Sequence, residues 1–396
     1  MTTPKVVLKP KRAQPFFGRH PWVFVGAIDQ VVGDPADGDE VDLVSSADNF
    51  IARGLFNSRS KITVRLYSWD AGVSLDRAFF KSRVEKAVEL RHDVLKLAGP
   101  DRGYRVIFSE ADYLSGMVAD RYGDWLAVQF TSLALGSRRA MIADVLREVL
   151  NPRGIYLRTE KGIGKLEGLA LHDELLWGEL PPPDHAIEEN GLRFFVNLAE
   201  GQKTGYYLDQ RDNRAAVARL CPGKRVLDAF CYSGGFGLFA AKAGAAEVLG
   251  IDGSEPALDL ARRNATANGL SNVSFTCADV FRHLTDLAAE GRKFDVLVLD
   301  PPKFARNRAA LPDAIKGYRR LHQLAMKLLA PGGVLVTCCC TGLIVMNDLE
   351  ELIAQVAVEA RRDLQILERR GPSPDHPVAV TCRESGYLKC IVSRVH

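Results

Sequence analysis

No window of the 396-residue sequence has the long uncharged apolar run that a membrane-spanning helix requires. The first residues, Met1-Thr-Thr-Pro-Lys5, also lack the apolar core of a secretory signal peptide. We therefore expect a cytosolic (cytoplasmic) protein without a membrane partner. A chain of this length predicts two or three domains.

The cysteines lack the spacing of a metal site or of a disulfide framework. Among the eight there is no Cys-x-x-Cys pair, no histidine lies at zinc-finger spacing, and three stand together at Cys338-Cys-Cys340. Adjacent free cysteines are typical of a reducing compartment. The sequence therefore predicts no structural metal.

The net charge of +3 does not by itself indicate a nucleic-acid partner. The distribution is more informative, because Asp29 is the only acidic residue between Met1 and Gln30. The basic residues of this segment are Lys5, Lys9, Lys11, Arg12 and Arg19. Such a patch either binds a phosphate backbone or is simply a solvated face.

The first of three regions, residues 1–74, consists of short β-type runs separated by turn residues, which predicts a small β-barrel or sandwich. The runs are Lys5–Leu8, Trp22–Val25, Glu40–Val44, Ile51–Phe56 and Ile62–Tyr67. The second region, residues 75–185, mixes both patterns and ends near the stiff Pro181-Pro-Pro183. The helices predicted in this second region are Leu75–Leu97 and Ser137–Leu150. The strands predicted there are Arg105–Phe108, Gly116–Ala119, Trp125–Phe130 and Gly154–Arg158.

The third region, residues 186–396, alternates strand and helix patterns. The predicted strands are Arg193–Asn197, Arg225–Asp228, Glu247–Ile251, Val273–Thr276, Phe294–Leu299 and Gly333–Cys338. The predicted helices between them include Gly235–Ala243, Glu255–Asn268 and Tyr318–Leu329. Such alternation predicts a mostly parallel sheet with helices on both faces.

The clearest local motif is Val226-Leu-Asp-Ala-Phe-Cys-Tyr-Ser-Gly-Gly-Phe-Gly237, a strand that ends in Asp228 and continues into a glycine-rich turn. Ligands of open α/β sheets bind beyond the carboxyl ends of the strands, and Gly234 and Gly235 would let one approach the backbone. The spacing matches neither the dinucleotide fingerprint nor the phosphate loop. A plain strand–turn–helix corner is the alternative interpretation.

Acidic residues follow the next two strands as well. Asp252 can accept hydrogen bonds from both ribose hydroxyls, and Asp279 can reach an exocyclic amine of adenine. Each alone could be a helix cap. Together with Asp228 they follow successive strands, which favours an adenosyl ligand.

Two further loops leave the predicted edge. The prolines of Leu299-Asp-Pro-Pro-Lys-Phe304 stiffen the first loop, which presents Asp300, Lys303 and Phe304. These side chains can bind a base and stack on it. The alternative interpretation is a rigid turn without a ligand.

The second loop follows the fifth predicted strand and has the sequence Val336-Thr-Cys-Cys-Cys-Thr-Gly-Leu343. A cysteine there can be a nucleophile, although free cysteines are usually buried and structural. Cys338 and Cys340 would share a face if the strand persists.

These motifs resemble those of class I S-adenosylmethionine (SAM)-dependent methyltransferases. With Lys203-Thr-Gly-Tyr-Tyr-Leu-Asp-Gln-Arg211 and the Cys-x-Gly-Leu motif, the chain resembles the RlmI-type 23S ribosomal RNA cytosine-5 methyltransferases. The resemblance implies an α/β fold: a Rossmann-like catalytic domain (186–396), an N-terminal PUA-like β-barrel domain (1–74) and a small mixed α/β middle domain (75–185). Two motifs depart from the family: Cys339-Cys-Thr-Gly-Leu343 replaces Ser-Cys-Ser-Gly-Leu, and Tyr113-Leu-Ser-Gly116 replaces Gly-Leu-Pro-Gly.

The resemblance also implies roles for single residues. The residues implied to border the methionine part of SAM are Asp228, Ser233, Gly234 and Gly235. Asp252 would hold the ribose and Asp279 the adenine, while Gln210 and Arg211 would close over the cofactor. Cys340 aligns with the catalytic cysteine, and Asp300 would hold the base. The further residues expected to contact RNA are Pro301, Lys303, Phe304, Lys9, Lys11 and Arg12.

The implied chemistry follows from the low reactivity of cytosine. Carbon 5 accepts a methyl group only after a thiolate, here Cys340, has added to carbon 6 and made the ring an enamine. The alternatives are an enzyme that methylates an exocyclic amine such as guanine N2, a non-catalytic RNA-binding assembly factor, and DNA as substrate. The expected partner is 23S ribosomal RNA of the large subunit, and a homodimer is left open.

Overall fold

The computed structural model describes residues 3–159, 162–199, 201, 204–305 and 307–396. Lys203, part of the motif that precedes the glycine-rich turn, lies outside them. The chain divides into two compact units: Met1–Ile187, Val196–Leu208 and Pro374–Ser385 form the first, and Glu188–Phe195, Asp209–Ser373 and Gly386–His396 form the second. Among the described residues, no helix combines the length and apolarity that a membrane crossing needs.

The first unit begins with a six-stranded mixed sheet in the order β2-β6-β5-β4-β1-β3. Its elements are β1 (Lys5–Leu8), α1 (Gln14–Phe17), β2 (Trp22–Phe24), β3 (Ile28–Val32), β4 (Glu40–Val44), β5 (Phe50–Phe56) and β6 (Ile62–Ser68). The predicted strands all form. The sequence did not reveal β3, because this edge strand is mostly exposed and carries no alternating apolar pattern.

A second sheet in the same unit has five strands in the order β11-β10-β9-β8-β7. The elements around it are α2 (Arg77–Glu89), β7 (Gly103–Phe108), β8 (Met117–Tyr122), β9 (Trp125–Phe130), α3 (Leu133–Gly136), α4 (Arg139–Leu150), β10 (Gly154–Leu157), α5 (Ile163–Glu167) and β11 (Glu174–Gly178). Tyr113, which stands where the resembled family has glycine, adopts a left-handed φ of 59°. The turn therefore persists without its glycine.

Two buried arginines, each paired with an aspartate, connect Asp375 to the first stretch of the first unit. Arg91 binds both carboxylate oxygens of Asp112 at 2.6 and 2.8 Å, and Arg105 binds Asp120 at 2.7 Å twice. The same two arginines bind Asp375: Arg91 donates to its carbonyl oxygen at 2.7 Å, and the backbone N–H of Arg105 donates to its carboxylate at 2.9 Å. These bonds explain why residues 374–385 belong to this unit.

The second unit is built on a seven-stranded sheet in the order β16-β15-β14-β17-β18-β20-β19, preceded by the hairpin β12-β13. Its strands are β12 (Ala186–Glu189), β13 (Leu192–Phe195), β14 (Arg225–Ala229), β15 (Glu247–Asp252), β16 (Val273–Cys277), β17 (Phe294–Leu299), β18 (Leu329–Cys339), β19 (Leu364–Arg370) and β20 (Lys389–Val395). Its helices are α6 (Arg211–Ala218), α7 (Gly235–Lys242), α8 (Glu255–Ala267), α9 (Val280–Ala289), α10 (Leu311–Leu328) and α11 (Met346–Glu359).

The predicted parallel sheet is confirmed over its first five strands. The last strand, β20, runs antiparallel between β18 and β19. The order of strands reverses at β14, so the edge beyond β14 and β17 is the switch point where ligands of such sheets bind. The helix predicted at Tyr318–Leu329 begins earlier, at Leu311, because Pro312 lies in the first turn, where its missing N–H costs nothing.

Candidate active site

Three acidic residues meet at the carboxyl edge of the second unit's sheet. Asp252 ends β15, Asp279 follows β16 by two residues, and Asp300 directly follows β17. Parallel pairing joins β16 to β15, β15 to β14 and β14 to β17, so these ends lie along one edge. The sequence prediction of acids along successive strand ends agrees with this arrangement.

The turn between β14 and α7 has an unusual backbone. Phe230, Tyr232 and Gly234 have φ values of 64°, 48° and 83°. Non-glycine residues in this left-handed region are rare and concentrate at functional sites, because the conformation costs free energy. The turn is held against β15, since the N–H of Tyr232 donates to Asp252 Oδ2 at 2.9 Å.

The two glycines of this turn are required by the protein itself. A Cβ on Gly234 would lie 3.2 Å from the Phe275 ring and 3.3 Å from Ala261, and one on Gly235 would lie 3.0 Å from the Arg214 side chain. Arg214 cannot easily move, because Glu189 binds it through two hydrogen bonds of 2.7 and 2.8 Å. Close packing and the left-handed φ therefore explain Gly234, and close packing against Arg214 explains Gly235, without invoking a ligand that approaches their backbone.

Asp228 is buried at the base of the turn, and one side of its carboxylate lacks a partner among the residues that the structure describes. Its Oδ2 accepts from the N–H of Gly237 at 2.7 Å. Among the described residues, neither Asp228 Oδ1 nor Ser233 Oγ has a hydrogen-bonding partner, although both atoms are buried. Burial, with smaller contributions from the charges of Asp300 and Asp252, raises the pKa of Asp228 to about 7. Unsatisfied buried oxygens fit a ligand that carries donors and positive charge.

Asp252 and Asp279 differ in burial and in the backbone N–H groups that they bind. Asp252 is half-buried, and its Oδ1 accepts from the N–H of Ser254 at 2.9 Å. Asp279 is exposed, and its Oδ1 caps α9 by accepting from the N–H of Arg282 at 2.8 Å. A carboxylate has further lone pairs, so this cap leaves room for a ligand bond. Ribose and adenine binding by these residues stays a prediction.

Asp300 lies at the end of a chain of side-chain hydrogen bonds. Gln210 Nε2 donates to Asp300 Oδ2 at 3.0 Å, and Asn213 Nδ2 donates to Gln210 Oε1 at 2.7 Å. Arg370 Nε in turn donates to Asn213 Oδ1 at 2.9 Å. A guanidinium only donates and a carboxylate only accepts, so the direction of both amides is fixed. Gln210, predicted from the resemblance to close over the cofactor, thus contacts the predicted base-binding carboxylate.

The run of three cysteines separates into different environments. Cys338 and Cys339 are fully buried within β18, whereas Cys340 lies just beyond the end of the strand and is partly exposed. Cys340 Sγ lies 3.9 Å from the carbonyl oxygen of Pro301. Since the strand ends at Cys339, its alternation does not extend to Cys340. The structure brings the predicted nucleophile next to the loop that carries Asp300.

The other residues of the loop that follows Asp300 differ in burial and contacts. Pro301 is buried and Lys303 is exposed. Phe304 packs within the protein, with ring centroids 4.8 Å from Tyr318 and 6.2 Å from Phe281. A supporting role for Phe304 therefore explains its position, and stacking on a base stays a prediction.

In the first unit, three residues of the predicted basic patch are exposed and expected to contact RNA. Lys9, Lys11 and Arg12 form no ion pair with any described residue. Lys9 Nζ donates to the carbonyl oxygen of Gly26 at 3.2 Å.

Several residues near the site were not predicted from the sequence as site residues. Lys389 Nζ donates to the carbonyl oxygen of Thr341, directly after Cys340, at 2.7 Å. Asn213 and Arg370 orient Gln210, and the three come together only in the fold. Such contacts depend on strand order and register rather than on local pattern.

The strand order, the glycine-rich turn and the acidic edge together define a methyltransferase domain that uses SAM. The family model described as S-adenosylmethionine-dependent methyltransferase matches residues 173–391, and the model of the PUA-like domain matches residues 6–69. A solved structure from Streptococcus mutans, assigned as a SAM-dependent methyltransferase, has a similar fold, with a TM-score of 0.85 at 22% identity over 98% of this chain and 99% of that one.

Two curated relatives extend the match over nearly the whole chain. Ribosomal RNA large subunit methyltransferase I of Aeromonas hydrophila is 43% identical over 97% of each chain. The protein of the same name from Shewanella amazonensis is 42% identical over 99% of each chain. The chain therefore belongs to the family of ribosomal RNA large subunit methyltransferase I proteins, and SAM is its cofactor.

Proposed function

We propose that the protein transfers a methyl group from SAM to carbon 5 of a cytosine in 23S ribosomal RNA, through a covalent adduct with Cys340. The observation that carries the proposal is the position of Cys340. It is the accessible thiol of its run, it lies beyond the strand, and its Sγ is 3.9 Å from Pro301 O in the loop that follows Asp300. The names of the relatives support ribosomal RNA of the large subunit as the substrate. We place the reaction in the cytoplasm.

The residues around the glycine-rich turn fit SAM. The unsatisfied Asp228 Oδ1 and Ser233 Oγ suit the donors and positive charge of its methionine part. Asp252 would hold the ribose and Asp279 the adenine. Arg211, the first residue of α6, and Gln210, just before it, would border the site. When bound, SAM supplies an activated methyl group.

Cys340 acts as the nucleophile. Its thiolate forms a bond to carbon 6 of the cytosine, and the electrons of the carbon 5–carbon 6 double bond make carbon 5 electron-rich. After carbon 5 has been methylated, loss of its proton returns the electrons of that C–H bond to the ring. The double bond forms again, and the bond between carbon 6 and Sγ breaks to release the thiolate.

Asp300 holds the base for this reaction. Its Oδ2 is fixed by Gln210, and the buried Pro301 stiffens the loop after it. A carboxylate in this position engages N3 or N4 of cytosine and stabilises the activated ring. The base must leave its stack before it reaches such an edge.

The exposed cations of the first unit bind the RNA backbone in this proposal. Lys9, Lys11 and Arg12 have no acidic partner among the described residues, so neutralising phosphates breaks no existing ion pair. The exposed rings of Phe17 and Phe24 offer surfaces on which unpaired bases stack.

The test compares three cysteine variants with RNA transcripts of the large subunit. We expect Cys340→Ala to abolish methyl transfer while SAM affinity stays within about twofold, because the thiol is not part of the cofactor site. Cys338→Ala and Cys339→Ala, at buried positions in the same run, serve as matched controls and should retain transfer. RNA containing 5-fluorocytosine should trap a covalent complex with the wild type and none with Cys340→Ala.

Full activity of Cys340→Ala would overturn the assignment of the nucleophile. Methyl transfer without a 5-fluorocytosine complex, and with the product on an exocyclic amine, would replace cytosine-5 methylation by the alternative chemistry. SAM binding without transfer to any RNA would favour a non-catalytic assembly factor.

A further inference from the structure

Lys389 is the first residue of β20, and its side chain is buried beside the proposed nucleophile. Only 6% of its surface is exposed. Its Nζ donates to the carbonyl oxygens of Thr341 and Tyr387, both at 2.7 Å. The antiparallel register pairs Lys389 with Cys339, so its position opposite the end of β18 is set by the strand.

This ammonium has no carboxylate partner at ion-pair distance within the part of the chain that the structure describes. An ammonium has three donors, and the two carbonyl bonds use two of them. Burying a charge without a counter-ion is costly, and proteins retain such groups mainly where they serve a function. The missing counter-ion therefore points to an anion that forms during the reaction.

The thiols at the end of β18 can carry negative charge, and the strand register places Lys389 opposite Cys339. Burial lowers the pKa of Lys389, while charge on Cys339 or Cys340 raises it, and Lys303 and Asp348 act more weakly in opposite directions. Cys339 is fully buried within the strand, which leaves Cys340 as the reactive thiol. Tyr318 faces the same two thiols from α10, and burial raises its pKa, so it stays neutral.

We propose that Lys389 is a positioning residue for Cys340: it fixes the turn that carries the thiol and provides the counter-ion of its thiolate. The inference rests on the proposed function, in which Cys340 is the nucleophile. The bond to Thr341 O holds the residue that follows Cys340. Thiolate and ammonium stabilise each other, so the two groups titrate as a pair. A cationic neighbour makes a cysteine reactive at neutral pH.

The experiment measures the rate of alkylation by iodoacetamide at each cysteine against pH, with peptide mass spectrometry and without RNA. In the wild type, we expect the midpoint for Cys340 below the value of about 8.5 for an ordinary cysteine. Lys389→Met should raise this midpoint by at least one pH unit; the shift of the midpoint reports the counter-ion, and any change in the limiting rate at high pH reports the lost hold on the turn. The exposed Cys277 in the same sample is the internal control and should not shift.

Lys389→Gln gives a second neutral variant that retains hydrogen-bond donors, in case the methionine variant does not fold. A role in holding the turn alone would change the limiting rate and leave the midpoint in place, and that result would overturn the proposal. So would a wild-type midpoint at or above about 8.5, which requires no variant. Since RNA is absent, a wrong RNA substrate leaves the result unaffected, while loss of transfer in Cys340→Ala tests the function separately.

Discussion

Gln210 donates a hydrogen bond of 3.0 Å to the carboxylate of Asp300, although 89 residues separate the two in the sequence. Family resemblance assigns Gln210 to the cofactor, whereas its contact connects it to the carboxylate that we expect to hold the RNA base. Asn213 orients the amide of Gln210 by a hydrogen bond to its Oε1, and Arg370 in turn holds Asn213. The role of Gln210 is therefore open to a direct test.

Gln210→Ala should lower kcat for methyl transfer by about 10- to 100-fold, because a hydrogen bond to a charged group contributes about 1.5–3 kcal/mol. SAM affinity, measured by calorimetry, should change by less than about threefold. Asn213→Ala should act in the same direction but more weakly, since Gln210 keeps its own amide. A loss of SAM affinity with unchanged kcat would instead support the cofactor role.

Gly234→Ala should destabilise the protein and weaken SAM binding. The added methyl group meets Phe275 and Ala261 at 3.2 and 3.3 Å, and the backbone has a φ of 83°. Gly244→Ala is the matched control, because its φ is 90° but nothing lies within 4 Å of the added Cβ. The control should cost about 1–2 kcal/mol of unfolding free energy. Equal losses in the two variants would show that packing at Gly234 contributes nothing.

Asp228 should make stability depend on pH in the absence of SAM. Burial raises its pKa to about 7 in the folded state, against about 3.9 in the unfolded chain. Between these values the folded protein holds a proton that the unfolded chain has lost, so the contribution is complete below about pH 4 and is lost as pH rises. The loss amounts to about 1.4 kcal/mol per pH unit, and on the order of 4 kcal/mol in total.

Asp228→Asn supplies the reference for that measurement, since it cannot titrate. The unfolding free energy of the wild type minus that of the variant, from urea denaturation, should fall between about pH 4 and pH 7 and stay constant above. Parallel curves across this range would contradict the raised pKa. Saturating SAM should reduce the difference, because a bound positive charge favours the ionised carboxylate.

Lys11→Ala and Arg12→Ala should each weaken RNA binding and make it less sensitive to salt. Each lost phosphate contact lowers the slope of log K against log salt concentration by about 0.7–0.9. Lys5→Ala is the control, because Lys5 already forms an ion pair with Asp48 at 2.8 Å. A slope that falls equally in all three variants would mean that the cations act only through net charge.

The local sequence pattern predicted most strands of the sheets, but few of the contacts between residues of the candidate site. The strands Trp125–Phe130 and Phe294–Leu299 match their predicted limits, because runs of β-branched, aromatic and leucine side chains mark them. The edge strand Leu364–Arg370 was missed, since it lacks apolar alternation, ends in three consecutive charged residues and has no fully buried residue. Lys389 was not found as a site residue, because only the antiparallel register with β18 brings it to Cys340.

The segments of the two units alternate along the chain, since each unit consists of three separate stretches. The segment matched by the methyltransferase family, residues 173–391, contains two short stretches, Val196–Leu208 and Pro374–Ser385, that fold with the first unit. No single cut in the gene therefore separates the two units completely. Recombination that exchanged only one end of the gene would pair Arg91 and Arg105 with a foreign Asp375 segment. We therefore expect the two units to be inherited together, as one piece.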